Sequence, residues 1–209
     1  MLIKKKFALV ALFLSLVGNP YSNTARAHKA TNLLSSCSNA EKLKSKYDST
    51  KQRLIEEVDN YIASTSKSSR MTGQAIVTSS IEEEFDITLL LAQCHIEGHF
   101  ATVGRPKRTN SAFSVGCWDN GKNMYKYKHP DESIEPYIKL IKYTYMKGRN
   151  VDQLLNSGFR TKGGARYASA SDYVPKIRKC MANIKNSTEI DTLYATLLSL
   201  KSRIEELEA

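Results

Sequence analysis

Between Leu43 and Tyr61 apolar or small side chains return every three or four positions (Leu43, Tyr47, Thr50, Leu54, Val58, Tyr61), with charges filling the intervals. That spacing predicts an amphipathic helix over Ser38 to Ser64. The polar stretch Ser64 to Ser69 reads as a linker, and Thr72 is placed to cap a second helix running to Phe85. Asp86 then precedes ITLLLAQCHIE and Gly98. This is an N-cap, a helix apolar on nearly every side and therefore buried, and a C-terminal glycine.

From Ala101 to Pro130 the helical pattern is lost. Ser114 to Gly116 and Met124 to Tyr127, separated by Asp119-Asn120-Gly121, predict a small β-hairpin with an Asn-Gly turn. Ser133 is a candidate cap for a helix over Ile134 to Lys147, with Pro136 in its first turn, where a missing N–H costs little. A short helix over Val151 to Asn156, a loop over Gly158 to Ala170 and a helix over Asp172 to Ile184 come next. In the tail, Ile190, Leu193, Leu197, Leu200, Ile204 and Leu207 alternate spacings of three and four, a heptad seam of about two and a half repeats. Such a seam either folds back on the N-terminal helix or joins two copies of the chain. No internal repeat is evident.

The N-terminus changes the picture of where this chain works. Lys4, Lys5 and Lys6 precede an eleven-residue apolar run, Phe7 to Val17, followed by Gly18, Pro20 and the small-x-small sequence Ala25-Arg26-Ala27. Eleven apolar residues fall short of the roughly 20 needed to span a bilayer, so residues 1–27 read as a cleaved export signal. The sequence Leu34-Ser35-Ser36-Cys37 has the look of a lipobox but stands too far from the apolar run. The expectation is a periplasmic or secreted protein, associated with the cell wall and without a stable membrane anchor.

Composition is that of a globular chain: 41% hydrophobic and 25% charged residues in 209, enough for one main domain with appendages. The leader holds four of the 31 Lys and Arg residues and no acid, which leaves the exported part with a net charge of +6. Phe85 to Ile184 alone carries 16 basic and 8 acidic residues, so the excess belongs to one segment. A basic exported domain suits a polyanionic wall; nucleic acid is not the expected partner.

Glu97 is the sharpest chemical candidate. It is the sole carboxylate between Asp86 and Asp119 and sits at the C-terminal end of the buried helix. Desolvation and the negative end of the helix dipole both favour its protonated form, as a proton donor to a glycosidic oxygen requires. His95 and His99 flank it at a four-residue spacing, but the order His-Ile-Glu-Gly-His misplaces the glutamate for a zincin and no third ligand is signalled. No metal or cofactor is expected. Cys37, Cys94, Cys117 and Cys180 allow three pairings if all are oxidised. A bridge between Cys94 and Cys117 would tie the two sides of a cleft, whereas a catalytic use of Cys94 conflicts with its apolar helix. Trp118, Tyr125, Tyr127, Tyr167 and Tyr173 lie in loops or at helix edges, where aromatic faces suit pyranose rings. Tyr143 and Tyr145 read as helix packing residues.

Four segments in order resemble one family. LLLAQCHIEGHF (Leu89 to Phe100) is similar to the catalytic helix of the glucosaminidases of glycoside hydrolase family 73. Asn110 to Gly116 (NSAFSVG), Tyr127 to Leu140 (YKHPDESIEPYIKL) and Arg166 to Tyr173 (RYASASDY) resemble the family's next three motifs. The resemblance implies a mainly α, lysozyme-like domain over residues 71–184, with a small β-hairpin. It is flanked by an N-terminal helix and linker (28–70) and a C-terminal heptad helix (185–209).

The implied activity is cleavage of the β-1,4 bond after N-acetylglucosamine in peptidoglycan, whose glycan strands are the expected partner. Glu97 falls on the general acid, Tyr167 on the tyrosine that approaches the scissile sugar and Tyr173 on the later tyrosine of that motif. Asn110 and Phe113 fall on the cleft-lining segment, and Trp118 joins them as a sugar-facing aromatic. Gly98 stands where the family carries serine, and its second glutamate has no clear counterpart; Asp119 is the nearest carboxylate available. Glycosidases commonly use two carboxylates. The chain therefore positions water with Asp119, uses the substrate's own acetamido group, cyclises the sugar as a lytic transglycosylase does, or is a non-catalytic wall-binding or virion-associated structural module of the same fold.

Overall fold

The computed structural model describes the backbone of residues 20–116 and 125–208, and side chains from Asn39. Its elements are helical. In order they are α1 (Pro20–Thr65), α2 (Gly73–Glu82), α3 (Ile87–Gly98), α4 (Gly104–Thr109), α5 (Ile134–Leu140), α6 (Val151–Asn156), α7 (Tyr173–Ser187) and α8 (Ile190–Glu208). The chain divides into two compact units at Lys42 and Leu43. The described residues before Leu43 are helical, and the core and the candidate site belong to the unit beginning at Leu43.

The core is built around α3, which packs against α2, α4, α7 and α8. Ile87, Leu89, Leu90, Leu91 and Ala92 have no exposed surface at all, and full burial of a Leu or Ile side chain is worth about 1.5–3 kcal/mol. The helix starts where the sequence places it: Asp86 accepts the Leu89 N–H at 2.9 Å and the Thr88 hydroxyl at 2.7 Å. Thr72 likewise caps α2 by accepting from Ala75 N. Ahead of α6, Asn150 and Gln153 form a reciprocal capping box.

The periodic seams are buried as their spacing demands. Along α1, Thr50, Leu54 and Val58 face inward, joined by Ile55 and Ile62. Along α8, Ile190, Leu193, Leu197 and Leu200 are buried, Ile204 is half-buried and Leu207 is exposed. The α8 helix folds back antiparallel to the Leu43–Thr65 part of α1, with ion pairs Arg53–Glu189 and Lys44–Glu208 at its two ends. The Tyr194 hydroxyl lies 2.8 Å from both Ser80 O and Phe85 O, which ties α8 to the end of α2 and the turn that follows it.

Several expectations change. Among the described residues there is no strand: Ala112-Phe113 and Val115-Gly116 form turns, and Tyr125 to Tyr127 run without regular structure. The Asp119-Asn120-Gly121 turn of the expected hairpin lies outside the described residues. The one isolated bridge among the described residues, antiparallel, joins Arg160 and Arg166. Ser133 does not cap α5; its hydroxyl donates to Pro130 O, closing a 3₁₀ turn over Pro130–Ser133, and accepts Ala112 N–H.

The helix beyond Leu140 widens to π winding over Ile141–Met146, which keeps Ile141 in the core while Tyr145 meets Phe159 and Tyr167. Gly98 is the last residue of α3, and the left-handed residue that ends the helix is His99 (φ 45°). Glycine is needed at 98 for another reason: a Cβ there would overlap the Pro106 ring of α4.

Candidate functional site

Glu97 stands one residue before the end of α3, half-buried, at the point where the chain leaves the core. The backbone then reverses through three consecutive left-handed, non-glycine residues, His99, Phe100 and Ala101 (φ 45°, 56° and 61°). Such backbone costs energy unless its surroundings hold it. Here Phe100 is fully buried against Tyr61 and His95, and the N–H groups of Thr102 and Val103 return to Gly98 O at 2.9 and 3.2 Å.

A second turn approaches from the other side. Asn110 (φ 52°) ends α4, and Ser111 to Gly116 fold on themselves through Ser114 N to Ser111 O and the Ser111 hydroxyl to Val115 O. This turn delivers the Ser114 hydroxyl to the Glu97 carboxyl. From the first turn of α7, Tyr173 donates its hydroxyl to Glu97 Oε1 at 2.7 Å. The same hydroxyl accepts the Gln93 amide at 2.7 Å, so Gln93, Tyr173 and Glu97 form one chain of bonds. Gln93 is fully buried one helical turn below Glu97, and Tyr173 is only 7% exposed.

Burial of the Glu97 carboxyl raises its pKa above the ordinary carboxylate value, and the bonds from Tyr173 and Ser114 work in the opposite direction by favouring the ion. Among the described residues no charged group figures in that balance. The group therefore holds its proton more tightly than an exposed glutamate, because it is desolvated.

Aromatic rings wall this region. Tyr167 packs beside Tyr173 (ring centroids 5.8 Å apart), Phe159 (5.2 Å) and Tyr145 (5.3 Å), and its hydroxyl donates to Phe113 O at 2.8 Å. The structure thus brings Glu97, Tyr167 and Tyr173 together, with Phe113 joined to them through its carbonyl. The Phe113 ring itself is fully buried, stacked on Tyr137 with centroids 4.1 Å apart, and forms the floor beneath the site.

Asn110 donates its amide to Tyr127 O (2.8 Å) and Lys128 O (3.2 Å) and accepts from Arg70 at 2.6 Å. Trp118 and Asp119 lie outside the described residues. Of the remaining aromatics, Tyr125 and Tyr143 are 62% and 63% exposed.

Sequence reasoning gave no role to Gln93, Ser114 or Tyr137. Gln93 had a signal: it is the one amide in an otherwise apolar buried run, and a buried amide needs partners. Ser114 and Tyr137 fall within the segments Asn110 to Gly116 and Tyr127 to Leu140 that carry the resemblance, Ser114 in a turn and Tyr137 on α5, but nothing in their spacing announces the contact each makes.

The His95 and His99 rings are 4.8 Å apart and tilted by 41°; burial, with a smaller contribution from His99, lowers the His95 pKa. Among the described residues no group of three His, Cys, Asp or Glu side chains is arranged to hold a metal ion. Cys94 and Cys180 are free thiols, and Cys94 is fully buried with its Sγ 3.2 Å from Met71 Sδ. Cys117, the other half of the expected bridge, lies outside the described residues. Burial pushes the Cys94 thiol well above its usual range, which makes it a poor nucleophile. Among the described residues no helix is long and apolar enough to cross a membrane.

No protein-family model matches the chain, and no curated protein matches it.

Proposed function

We propose that this chain is an exported, lysozyme-like peptidoglycan hydrolase that cleaves the β-1,4 bond after N-acetylglucosamine, with Glu97 as the general acid. The observation that carries this reading is the Glu97 carboxyl itself: desolvated, held by Tyr173 and Ser114, and walled by tyrosines. The ordered resemblance of four segments to the family 73 glucosaminidases supports it, as does the basic charge of the same segment.

In this reading Oε1 accepts the Tyr173 hydroxyl, and the carboxyl proton is carried on Oε2. As the glycosidic bond breaks, that proton passes to the leaving oxygen and the ring develops positive charge. The Glu97 carboxylate so formed is the ion that Tyr173 and Ser114 stabilise. The bonds therefore strengthen as the reaction proceeds, which is where binding energy accelerates chemistry. Tyr167, Asn110 and Trp118 are assigned to the sugar-binding cleft, Phe113 supports it from below, and Asp119 is the candidate to position water.

One observation favours a second route for the same acid. The family's second glutamate has no clear counterpart in the sequence, and a lytic transglycosylase needs only one carboxylate, because the sugar's own hydroxyl attacks.

Mass spectrometry of purified peptidoglycan digested with the chain, beside its Glu97→Gln variant, separates the two. Reducing N-acetylglucosamine ends are expected from the parent and none from the variant. Anhydromuramyl ends would assign the transglycosylase route. Equal digestion by both proteins, or by neither, would overturn the assignment of Glu97.

A further inference from the structure

Beside the Glu97 reversal the surface holds a polar cavity of about 220 Å³ lined by Ser68, Arg70, Ala101, Thr102, Lys107 and Asn110. Small-molecule pockets usually run to roughly 300–1,000 Å³, so this one takes a small end group and not a length of glycan. It is formed by two stretches without acids, residues 60–81 and 98–116, which contribute Lys67, Arg70, Arg105, Lys107 and Arg108. Three acids from outside are bonded to these stretches at other points: Asp131 accepts the Thr72 backbone N–H and hydroxyl, Asp59 accepts the Gly73 N–H, and Glu97 meets the Ser114 hydroxyl.

The cavity's guanidinium is set in place without being neutralised. Both donations from the Asn110 amide go to main-chain carbonyls, Tyr127 O and Lys128 O, which fixes the direction of its oxygen; that oxygen holds Arg70 at 2.6 Å. Asn110 is uncharged, so Arg70 keeps its full positive charge, and it makes no ion pair among the described residues. The Lys107 ammonium and the Ser68 hydroxyl have no partner among the described residues. A pre-aimed planar fork beside a second cation is the arrangement that recognises a planar anion.

The position relative to Glu97 is bounded by the chain. Ala101 lies four residues after Glu97, and Asn110 lies four before Ser114, which bonds Glu97. Four residues span at most about 14 Å.

We propose that this cavity binds the free carboxylate of a wall stem peptide, so that a glycan strand is held at Glu97 by its peptide as well as by its sugars. The assignment of a stem peptide rests on the proposed function above, while anion binding itself does not.

The test is calorimetric titration of the full chain with three soluble ligands: an N-acetylmuramyl dipeptide with a free carboxylate, its C-terminal amide, and glycerol phosphate. The free-acid ligand is expected to bind at least about tenfold more tightly than the amide, as loss of a charge-assisted contact implies. Lys107→Gln, an exposed substitution, and Arg70→Gln should each remove most of that difference; Arg70→Lys should not restore it, because lysine lacks the fork. Equal affinity for acid and amide overturns the proposal, and tighter binding of glycerol phosphate than of the free acid overturns the choice of a carboxylate. None of these readings requires turnover. Failure of Glu97→Gln to abolish lysis would therefore strike the proposed function alone.

Discussion

Along α8, four successive seam residues, Ile190, Leu193, Leu197 and Leu200, are buried, and the charged pairs Arg53–Glu189 and Lys44–Glu208 stand outside them in solvent. At the end of α3 the pattern is the reverse. A carboxyl, two tyrosine hydroxyls and a glutamine lie inside, the backbone passes through three left-handed residues, and the Gln93 carbonyl oxygen and Tyr137 hydroxyl have no partner among the described residues. The flank follows the rule that apolar groups go in and charges stay out. The Glu97 region breaks it at a cost in stability, and such breaks concentrate at sites with a chemical task. The contrast becomes testable because the two regions should respond to substitution in different observables.

The largest expected effect is on chemistry. Glu97→Gln keeps the shape and removes the proposed proton donor, and the proposed lytic activity should fall by about 10²–10⁴-fold. Stability should move the other way. Burial raises the Glu97 pKa, so the native state holds the proton more tightly than the unfolded chain does. That contribution is complete below the unfolded value, about 4.3, and is lost as pH rises through the raised native value. The Gln variant lacks this loss. Its melting temperature relative to the parent should therefore climb as pH rises from the unfolded value through the raised native one. A difference independent of pH would mean that Glu97 carries no strained ionisation.

The flank should show the opposite signature. Leu197→Ala in the fully buried seam is expected to destabilise by about 2–5 kcal/mol, read as a lowered denaturation midpoint. At temperatures where the variant stays folded, the pH profile of lysis should match the parent's. A changed profile would show that the α8 flank is coupled to the site and that the two regions are not independent.

Much of the flank is legible in sequence because regular packing leaves a period. The Leu43–Tyr61 spacing marks the buried stripe of α1, the heptad marks that of α8, and Asp86 and Thr72 cap helices through short-range bonds. The site is less legible. Glu97 stands out as a lone carboxylate after an apolar run and Tyr173 falls in a segment that carries the resemblance, but the bond between them and the approach of Ser114 are made by tertiary packing and a non-periodic turn. Local chemistry also misleads: Ser133 carries a capping signature yet bonds Pro130 O and Ala112 N, because the tertiary partner is better placed. Gly98 has the signature of a helix terminator, while its function in the fold is to admit Pro106.

That close approach yields a smaller effect. Gly98→Ser adds a Cβ where the Pro106 ring already sits, and overpacking of this kind typically costs about 1–3 kcal/mol. The substitution pushes on α4 and the turn leading to Ser114. Lytic activity should fall along with the denaturation midpoint, in contrast to Leu197→Ala. A variant as stable as the parent would show that α4 yields freely and that Gly98 is not fixed by packing.

The finest distinction lies in the pH profile. A general acid works only while protonated, so if Glu97 has the proposed role kcat/KM should decline as pH rises through its raised pKa. Tyr173 donates to Glu97 Oε1 and thereby favours the ion, lowering a value that burial raises. Tyr173→Phe removes that donor and leaves the ring in place. The alkaline decline should then shift to higher pH, with the plateau rate changed by less than about tenfold, the scale of one hydrogen bond. The accompanying Gln93 amide loses its acceptor, so a modest loss of stability is expected as well. That loss alone identifies nothing, since any buried bond would give it. The displaced pH limb is what a purely structural tyrosine would not produce, and an unmoved limb would detach Tyr173 from the acid.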